Sequence, residues 1–233
     1  MMEEITITQN GFDGLYMSYL YGKVKERFSF LPSTCDLQRV GDSCRLQFRT
    51  EKEYCPYVRR FAEEHMSDVI VIGYKYEYFN RRLPLPMLSK PQRRVLLTAL
   101  VAADYPEDKA FVAKSLRGFS QYCLDGFFHF RLQALKKRWE GIVDYIPVEM
   151  GEAATEGFLE FLVEDGRGKL YVKSGKVYDT DYRPLSRSLL TGVESVVGEI
   201  ILGGAERVYC FGETDVDTRT FLKKYYGKKG IFC

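Results

Sequence analysis

The hydrophobic pattern of the first 55 residues changes period along the chain. Apolar and polar side chains alternate over Ile5–Thr8, which predicts a half-buried strand. Residues 11–28 carry apolar side chains near helical spacing and predict a helix. A Gly-Asp pair separates two short strand-like runs, 35–40 and 44–48, and this turn signal predicts a hairpin. Residues 1–55 are therefore expected to form a small α/β unit.

The pattern over residues 56–165 is helical. From Val58 to Phe79, apolar or weakly polar side chains recur at intervals of three and four residues, which places them on one helix face. His65 lies on that stripe, so we interpret it as a core histidine. Four further helices are predicted: one capped by Ser89, one over 107–124, one over 126–146 capped by Asp125, and one over 150–163.

Residues 166–233 return to an α/β pattern. The predicted strands cover 169–173, 176–178, 207–211 and 230–232, and the predicted helices cover 185–202 and 215–226. We interpret the strand at 207–211 as having a continuous apolar core. Because a helix separates the last two strands, they are expected to be parallel.

The order of these elements predicts an α+β fold. A central helical bundle is flanked by N-terminal and C-terminal α/β segments, which are candidates to share one mixed sheet. The three regions are 1–55, 56–165 and 166–233, and they form either separate units or one compact domain.

Composition narrows the class of protein. The 233 residues include 34 Lys and Arg against 32 Asp and Glu, a net charge of +2, which excludes a strongly basic or an acidic disordered chain. The longest nearly apolar run, Val95–Ala103, is far shorter than the ~20 residues that span a bilayer. The first residues lack the pattern of a secretory signal. We therefore expect a cytoplasmic protein without a membrane span.

The six cysteines show no metal-binding pattern, and their even number leaves three disulfides as the alternative to free thiols. No two are closer than nine positions, so no C-x-x-C motif is present. We expect free thiols, with Cys123 and Cys210 as small core residues.

Two segments carry a resemblance to a known family. They are Tyr76-Glu77-Tyr78-Phe79-Asn80, which closes the long helix, and Asp125-Gly126-Phe127-Phe128-His129-Phe130-Arg131-Leu132. The second resembles a glycine-phenylalanine-x-x-phenylalanine-arginine-leucine segment of the YtxC-like family, which is associated with sporulation. The order of elements over residues 57–233 is also similar. The resemblance implies a cytoplasmic bacterial protein tied to sporulation, and it implies no catalytic or binding residues.

Motifs for common chemistries are missing from the sequence. No Gly-Lys pair has the P-loop pattern, and neither His65 nor His129 lies in a metal-binding motif. No catalytic residue, metal or cofactor is therefore predicted, and a non-enzymatic protein is favoured. A weak anion site is considered at Gly212 and Thr214, where a plain strand-to-helix turn capped by Thr214 or Asp215 is the favoured interpretation.

Basic residues near the end of the chain raise nucleic-acid binding as an alternative. The cations concerned are Arg219, Lys223, Lys224, Lys228 and Lys229. Clustered cations bind phosphates, and the adjacent Tyr225 and Tyr226 offer stacking surfaces. Solvated lysines after a final helix are the competing interpretation.

Contact with a protein partner is the leading functional hypothesis. Phe127 and Phe130 lie outside the buried stripe of the predicted helix 126–146, beside Arg131. Arg138 falls about 20° from Arg131 around that helix. Two apolar sides indicate either deep burial, which is favoured for the two phenylalanines, or a second contact surface. We expect a non-enzymatic, sporulation-associated protein that acts through an unidentified protein partner.

Overall fold

The computed structural model describes residues 2–11, 14–119 and 121–233 and has the predicted α+β fold. The α-helices are α1 Leu15–Phe28, α2 Cys55–Asp68, α3 Lys75–Arg82, α4 Lys90–Ala103, α5 Tyr105–Leu116, α6 Leu124–Arg131, α7 Gln133–Tyr145, α8 Glu152–Glu164, α9 Val196–Gly203 and α10 Val216–Phe221. The strands are β1 Met2–Asn10, β2 Thr34–Val40, β3 Ser43–Glu51, β4 Gln121–Cys123, β5 Lys169–Lys173, β6 Lys176–Tyr178, β7 Pro184–Leu185, β8 Arg207–Phe211 and β9 Gly230–Phe232. Short π-helical segments follow α2 and α10 at Val69–Tyr74 and Leu222–Tyr226, and 3₁₀ turns cover Arg187–Thr191 and Gly227–Lys229.

The chain divides into two compact units, each with its own sheet. Unit 1 comprises Met1–Tyr74 and Pro106–Glu140, and unit 2 comprises Lys75–Tyr105 and Gly141–Cys233. The expectation that the terminal segments share one sheet is wrong for the described residues. The reason is that β1 recruits β4 from the middle of the chain, whereas β5 pairs with β8 and β6.

The sheet of unit 1 has the strand order β2-β3-β1-β4. The predicted hairpin of β2 and β3 is confirmed, and β1 pairs antiparallel with β3 and parallel with β4. One face is buried through Ile5, Ile7, Leu46 and Phe48. Gly73 allows its backbone to pack closely against α1, because a Cβ there would lie 2.5 Å from the ring of Tyr16.

The sheet of unit 2 has the strand order β7-β6-β5-β8-β9. The strands β5, β8 and β9 are parallel, which confirms the prediction for the last two strands. The hairpin of β5 and β6 turns at Ser174 and Gly175, whose φ values of 51° and 71° suit a two-residue turn. Helices cover one face of this sheet and bury a core cluster: Ala99, Leu159, Val163, Leu170, Val172, Val177, Ile200, Ile201, Ala205, Val208, Cys210, Phe221, Leu222 and Tyr226.

Helix boundaries follow the predicted signals where the capping is local. The predicted Ser89 cap is confirmed: its side chain and that of Gln92 form a reciprocal capping box at the start of α4. The helix predicted over 150–163 is present as α8. The predicted helix over 185–202 is wrong, because Gly192 adopts a left-handed φ of 85° and Ser195 caps a new helix, α9.

Two predicted helices in the middle of the chain are also wrong. The helix expected over 107–124 ends at Leu116, since residues 121–123 pair with β1 as the edge strand β4. The helix expected over 126–146 is interrupted at Leu132, which separates α6 from α7. Asp125 does not cap it. Its carboxylate instead accepts hydrogen bonds from the backbone N–H of Asn10 at 2.7 Å and from the hydroxyl of Tyr74 at 2.9 Å.

In the described part of the chain, no helix has both the length and the apolar character needed to cross a membrane.

Candidate functional site

The open face of the unit 2 sheet carries aromatic and cationic side chains. Side chains alternate between the two faces along each strand, and the buried members, such as Leu170 and Val208, belong to the core. The opposite face of β5, β6 and β8 consists of Lys169, Tyr171, Lys173, Lys176, Tyr178, Arg207, Tyr209 and Phe211. The interpretation of 207–211 as a strand with a continuous apolar core is therefore wrong, because only its second and fourth residues are buried.

A row of aromatic rings crosses the middle of this face. Tyr171 on β5 is paired in register with Tyr178 on β6 and with Tyr209 on β8. The ring centroid of Tyr171 lies 5.8 Å from that of Tyr209 and 6.2 Å from that of Phe211, with interplanar angles of 35° and 30°. Tyr182, from the loop after β6, stacks on Tyr171 at 4.7 Å with an angle of 11°. The face thus presents several adjacent rings at small mutual tilts.

Cations lie at both ends of the aromatic row. Lys169 and Arg207 are paired where β5 and β8 begin, while Lys173 lies where β5 ends, paired in register with Lys176 and with Phe211. The ammonium of Lys169 lies 5.9 Å from the centroid of the Tyr209 ring. All five strands of this sheet lie in the described part of the chain, and they contain four charged residues, all of them cations, and no Asp or Glu.

Carboxylates beside the strands offset part of this positive charge. The guanidinium Nε of Arg207 lies 3.7 Å from the carboxylate of Glu206, so that exposed cation is partly neutralised. Arg183 and Asp181, in the loop after β6, form an exposed pair at 3.5 Å. Burial by neighbouring side chains raises the pKa of Tyr171, and Tyr182 raises that pKa further, so the phenol remains neutral near pH 7. The face can therefore attract an anionic chain and stack flat rings.

A shallow cleft borders the face where β5 and β8 end. It has a volume of about 690 Å³ and is lined by Lys173, Ser174, Gly175, Phe211, Gly212, Glu213, Thr214 and Asp215. The predicted cap of the following helix is confirmed for Asp215, whose carboxylate accepts the N–H of Thr218 at 2.8 Å. Gly212 takes a left-handed φ of 75°. Two carboxylates in the cleft oppose an anion, so the predicted anion site at Gly212 and Thr214 stays a prediction.

The C-terminal cations are divided among different surroundings. Lys224 is held by Glu156 and lies 3.9 Å from Glu152, and the guanidinium of Arg219 lies 5.2 Å from the ring centroid of Phe232. Four members of the group, Arg219, Lys223, Lys224 and Lys228, are exposed, while Lys229 is half-buried. Of the two tyrosines expected to stack, Tyr226 is buried in the core. The segment is thus anchored in the core, and its ability to bind nucleic acid stays a prediction.

The four predicted interaction residues lie in unit 1 in different settings. Phe130 is 82% exposed, so the expectation that it is buried is wrong. Phe127 is half-buried, with its ring 6.3 Å from that of Phe119, and Arg131 lies over Phe119 at 5.7 Å. The expectation that Arg138 shares one helix side with Arg131 is also wrong, because the helix is interrupted between them.

Arg138 belongs to a structural cluster of unit 1. Its guanidinium lies 3.0 Å from one carboxylate oxygen of buried Asp108, and the indole N–H of Trp139 donates to the other oxygen at 2.8 Å. Asp108 thus accepts the hydrogen bond of a buried indole and forms an ion pair with a half-exposed guanidinium. The location of Arg138 is explained by this pairing.

The core interpretation of His65 is confirmed by a second polar cluster in unit 1. His65 is half-buried, and its Nδ1 lies 3.4 Å from buried Asp68 and 3.3 Å from the hydroxyl of Tyr19. The ammonium of Lys109 lies 2.8 Å from Asp68. Burial opposes ionisation of Asp68, but the hydrogen bond to His65 and the charge of Lys109 prevail and lower its pKa to about 2.

The cysteines and the potential metal ligands are dispersed. Cys210 is buried as expected, whereas Cys123 is exposed at the end of β4, so its interpretation as a core residue is wrong. No group of three or more His, Cys, Asp and Glu side chains within the described residues is placed to hold a metal ion.

The strands of the open face are predicted by the sequence, but the aromatic surface that they form together was not predicted. The signal was present: β5 reads Lys-Leu-Tyr-Val-Lys and β8 reads Arg-Val-Tyr-Cys-Phe, with an aromatic residue at the centre of both alternating patterns. Only the parallel register, which sets Tyr171 beside Tyr209, shows that the two patterns form one surface.

Comparison with known proteins gives no assignment: no protein-family model, no curated protein and no solved structure matches this chain. The resemblance of residues 125–132 to the YtxC-like family, and the link to sporulation that it implies, therefore stay predictions.

Proposed function

We propose that unit 2 binds single-stranded nucleic acid on the open face of its sheet. The observation that carries this proposal is the row of Tyr171, Tyr209 and Phe211 on adjacent parallel strands, with cations at both ends and no carboxylate on the strands. Unpaired bases stack on aromatic side chains, and lysine and arginine bind the phosphates between them.

The shape of the face favours a single strand over a duplex. The rings of Tyr209 and Phe211 lie along the sheet surface with that of Tyr171, and their planes are tilted from it by 35° and 30°. A base must leave its own stack to lie against such a ring, and bases of single strands and loops are free to do so. The bases of a duplex are paired and stacked, so they present only their edges.

The charge distribution supports a polyanion rather than a neutral peptide as the ligand. The chain as a whole is nearly neutral, with a net charge of +2. The strands of this sheet nevertheless carry four cations and no anion. The positive charge is therefore local to the aromatic face, where it complements phosphates.

A role in protein contact is a second candidate, and it belongs to unit 1. The observation that favours it is the 82% exposed ring of Phe130, which follows half-buried Phe127 and precedes Arg131. Exposed Phe and Arg side chains suit protein interfaces. A cytoplasmic, sporulation-associated role rests on the family resemblance and remains part of this second proposal.

Binding of a fluorescein-labelled 12-nucleotide oligouridine, measured by fluorescence anisotropy, tests the first proposal. Tyr209→Ala and Phe211→Ala are each expected to weaken binding by about 5- to 100-fold, because each loses a base stack. Tyr145→Ala is the matched control, since that tyrosine is 88% exposed in unit 2 but lies on α7. Full-strength binding by the two open-face variants, or an equal loss in the control, contradicts the proposal.

A further inference from the structure

The ring of Tyr182 covers a stacking surface of the open face. It lies on Tyr171 with the ring centroids 4.7 Å apart and the planes 11° from parallel, the closest and flattest aromatic pair of this face. Tyr171 itself is only half-buried, whereas Tyr182 is 66% exposed. The covering ring thus has solvent on most of its surface, and the covered ring belongs to the sheet.

The loop that carries Tyr182 holds it over the sheet in a costly conformation. Its φ is 57°, a left-handed value that bulky residues rarely adopt. The loop is closed by Asp179, whose carboxylate accepts the N–H groups of Asp181 and Arg183 at 2.9 Å each. The N–H of Tyr182 donates to the carbonyl of Asp179 at 3.1 Å. These bonds fix the backbone, while the side chain stacks on Tyr171 and is hydrogen-bonded to it.

We infer that Tyr182 occupies the position of a base on Tyr171 and competes with the nucleic acid for it. This inference rests on the proposed function and adds its regulation: the free protein covers one of its own stacking positions. A flat aromatic ring parallel to Tyr171 is the arrangement that a stacked base would adopt. Rotation of the Tyr182 side chain uncovers Tyr171 without breaking the hydrogen bonds of the loop.

The competition lowers the apparent affinity. The binding-competent fraction of the protein is the fraction in which Tyr182 has moved away, and the apparent Kd rises as that fraction falls. Aromatic pairs of this kind contribute enough to change such an equilibrium by about 2- to 10-fold. Removal of the ring should therefore strengthen binding, which is the reverse of the effect expected for a ring that binds a base.

Two substitutions of Tyr182 test the inference with the same 12-nucleotide oligouridine. Tyr182→Ala should lower the Kd by about 2- to 10-fold, whereas Tyr182→Phe, which keeps the stack, should bind as the wild type does. A Tyr182→Ala variant that binds more weakly shows that the ring is part of the binding platform and overturns the inference. An unchanged Kd overturns it as well.

The ring itself provides a second measurement. In the free protein, the aromatic protons of Tyr182 should be shifted upfield in the NMR spectrum by the ring of Tyr171, and the shift should disappear as oligouridine is added. If the shift persists in the bound state, the inference is wrong.

The two proposals can fail separately. If Tyr209→Ala weakens binding but Tyr182→Ala does not strengthen it, the proposed function stands and only the competition by Tyr182 is removed. Absence of binding by both the wild type and Tyr182→Ala overturns the proposed function itself, and the inference with it.

Discussion

The two sheets of this chain bury one face each and differ in the other. In unit 1, the opposite face of β1 and β3 is polar, and several of its side chains pair with one another: the carboxylate of Glu4 accepts hydrogen bonds from Arg49, Gln47 and Thr6 at 2.7, 3.1 and 2.9 Å. In unit 2, that face carries tyrosine and phenylalanine between cations, without a carboxylate on the strands. The exposed sheet face of unit 1 is therefore built from polar residues that pair with one another. The exposed sheet face of unit 2 is built instead from aromatic residues and cations.

The same contrast appears in the charged clusters. Unit 1 places Asp68 and Asp108 inside and pairs them with Lys109 and Arg138. These pairs join helices, so the charges serve its structure. The cations of the unit 2 sheet lie on exposed strand ends, where no carboxylate of the strands faces them. Charge thus pairs helices in unit 1, whereas in unit 2 it lies exposed on the sheet face where we propose that a ligand binds.

The largest expected effect concerns Asp108. Asp108→Ala removes the carboxylate that accepts the buried indole N–H of Trp139 and pairs with Arg138, and it should lower the free energy of unfolding by about 2–3 kcal/mol. Urea denaturation followed by Trp139 fluorescence measures this loss, since the chain has one tryptophan. At temperatures where the variant is folded, its Kd for oligouridine should equal that of the wild type. If the Kd of the folded variant were higher than that of the wild type, nucleic-acid binding would depend on unit 1 as well, which contradicts the assignment of binding to unit 2.

Acid should affect unit 1 through Asp68. The pKa of its carboxyl in the folded protein is about 2, below its ordinary value of 3.8. Its ionised form therefore stabilises the protein above about pH 4, and this contribution of about 2 kcal/mol is lost as the pH falls from about 4 to 2. The free energy of unfolding of the wild type should exceed that of Asp68→Asn at pH 5, and the gap should close toward pH 2. A gap that is constant with pH contradicts the ion pairing of Asp68.

The smallest expected effect is a change in the salt dependence of binding when cations of the unit 2 sheet are removed. Each phosphate contact of a single strand contributes about −0.7 to the slope of log K against log salt concentration. The double variant Lys173→Gln, Lys176→Gln should make that slope shallower by about 1.4, measured by anisotropy between 50 and 200 mM NaCl. Arg49→Gln, on the polar face of unit 1, is the matched control and should leave the slope unchanged. Equal slopes for all three proteins would show that the unit 2 cations contact no phosphate.

The sequence predictions were accurate where the interacting residues are close together in the sequence, and they failed where those residues are far apart. The hairpin at Ser174 and Gly175 and the capping box at Ser89 were predictable, because a few neighbouring residues determine each. The strand β4 was missed, since its three residues become a strand only by pairing with Thr6–Thr8, more than 110 positions earlier. No local pattern distinguishes such a segment from a helix end.

The candidate site was missed for a similar reason. The alternation in Lys169–Lys173 and Arg207–Phe211 predicted two strands. Their aromatic residues lie side by side only because the strands pair in parallel, although the helix α9 separates them in the sequence. The C-terminal lysines were predicted to bind phosphates because they are close together in sequence. In the fold, Lys224 is paired with Glu156, while the cations of the open face come from three separate strands. A surface formed by strands that are far apart in the sequence can be recognised only when the pairing register of those strands is known.

Photo-crosslinking followed by mass spectrometry tests the central claim most directly. A 12-nucleotide oligouridine that contains 4-thiouridine is irradiated with the 233-residue protein, and the crosslinked peptides are sequenced. The account predicts crosslinks in β5 and β8, at Tyr171, Tyr209 or Phe211, and their loss in Tyr209→Ala but not in Tyr145→Ala. Crosslinks confined to residues 219–229 or to unit 1, or no crosslink at a concentration that saturates binding, would contradict it.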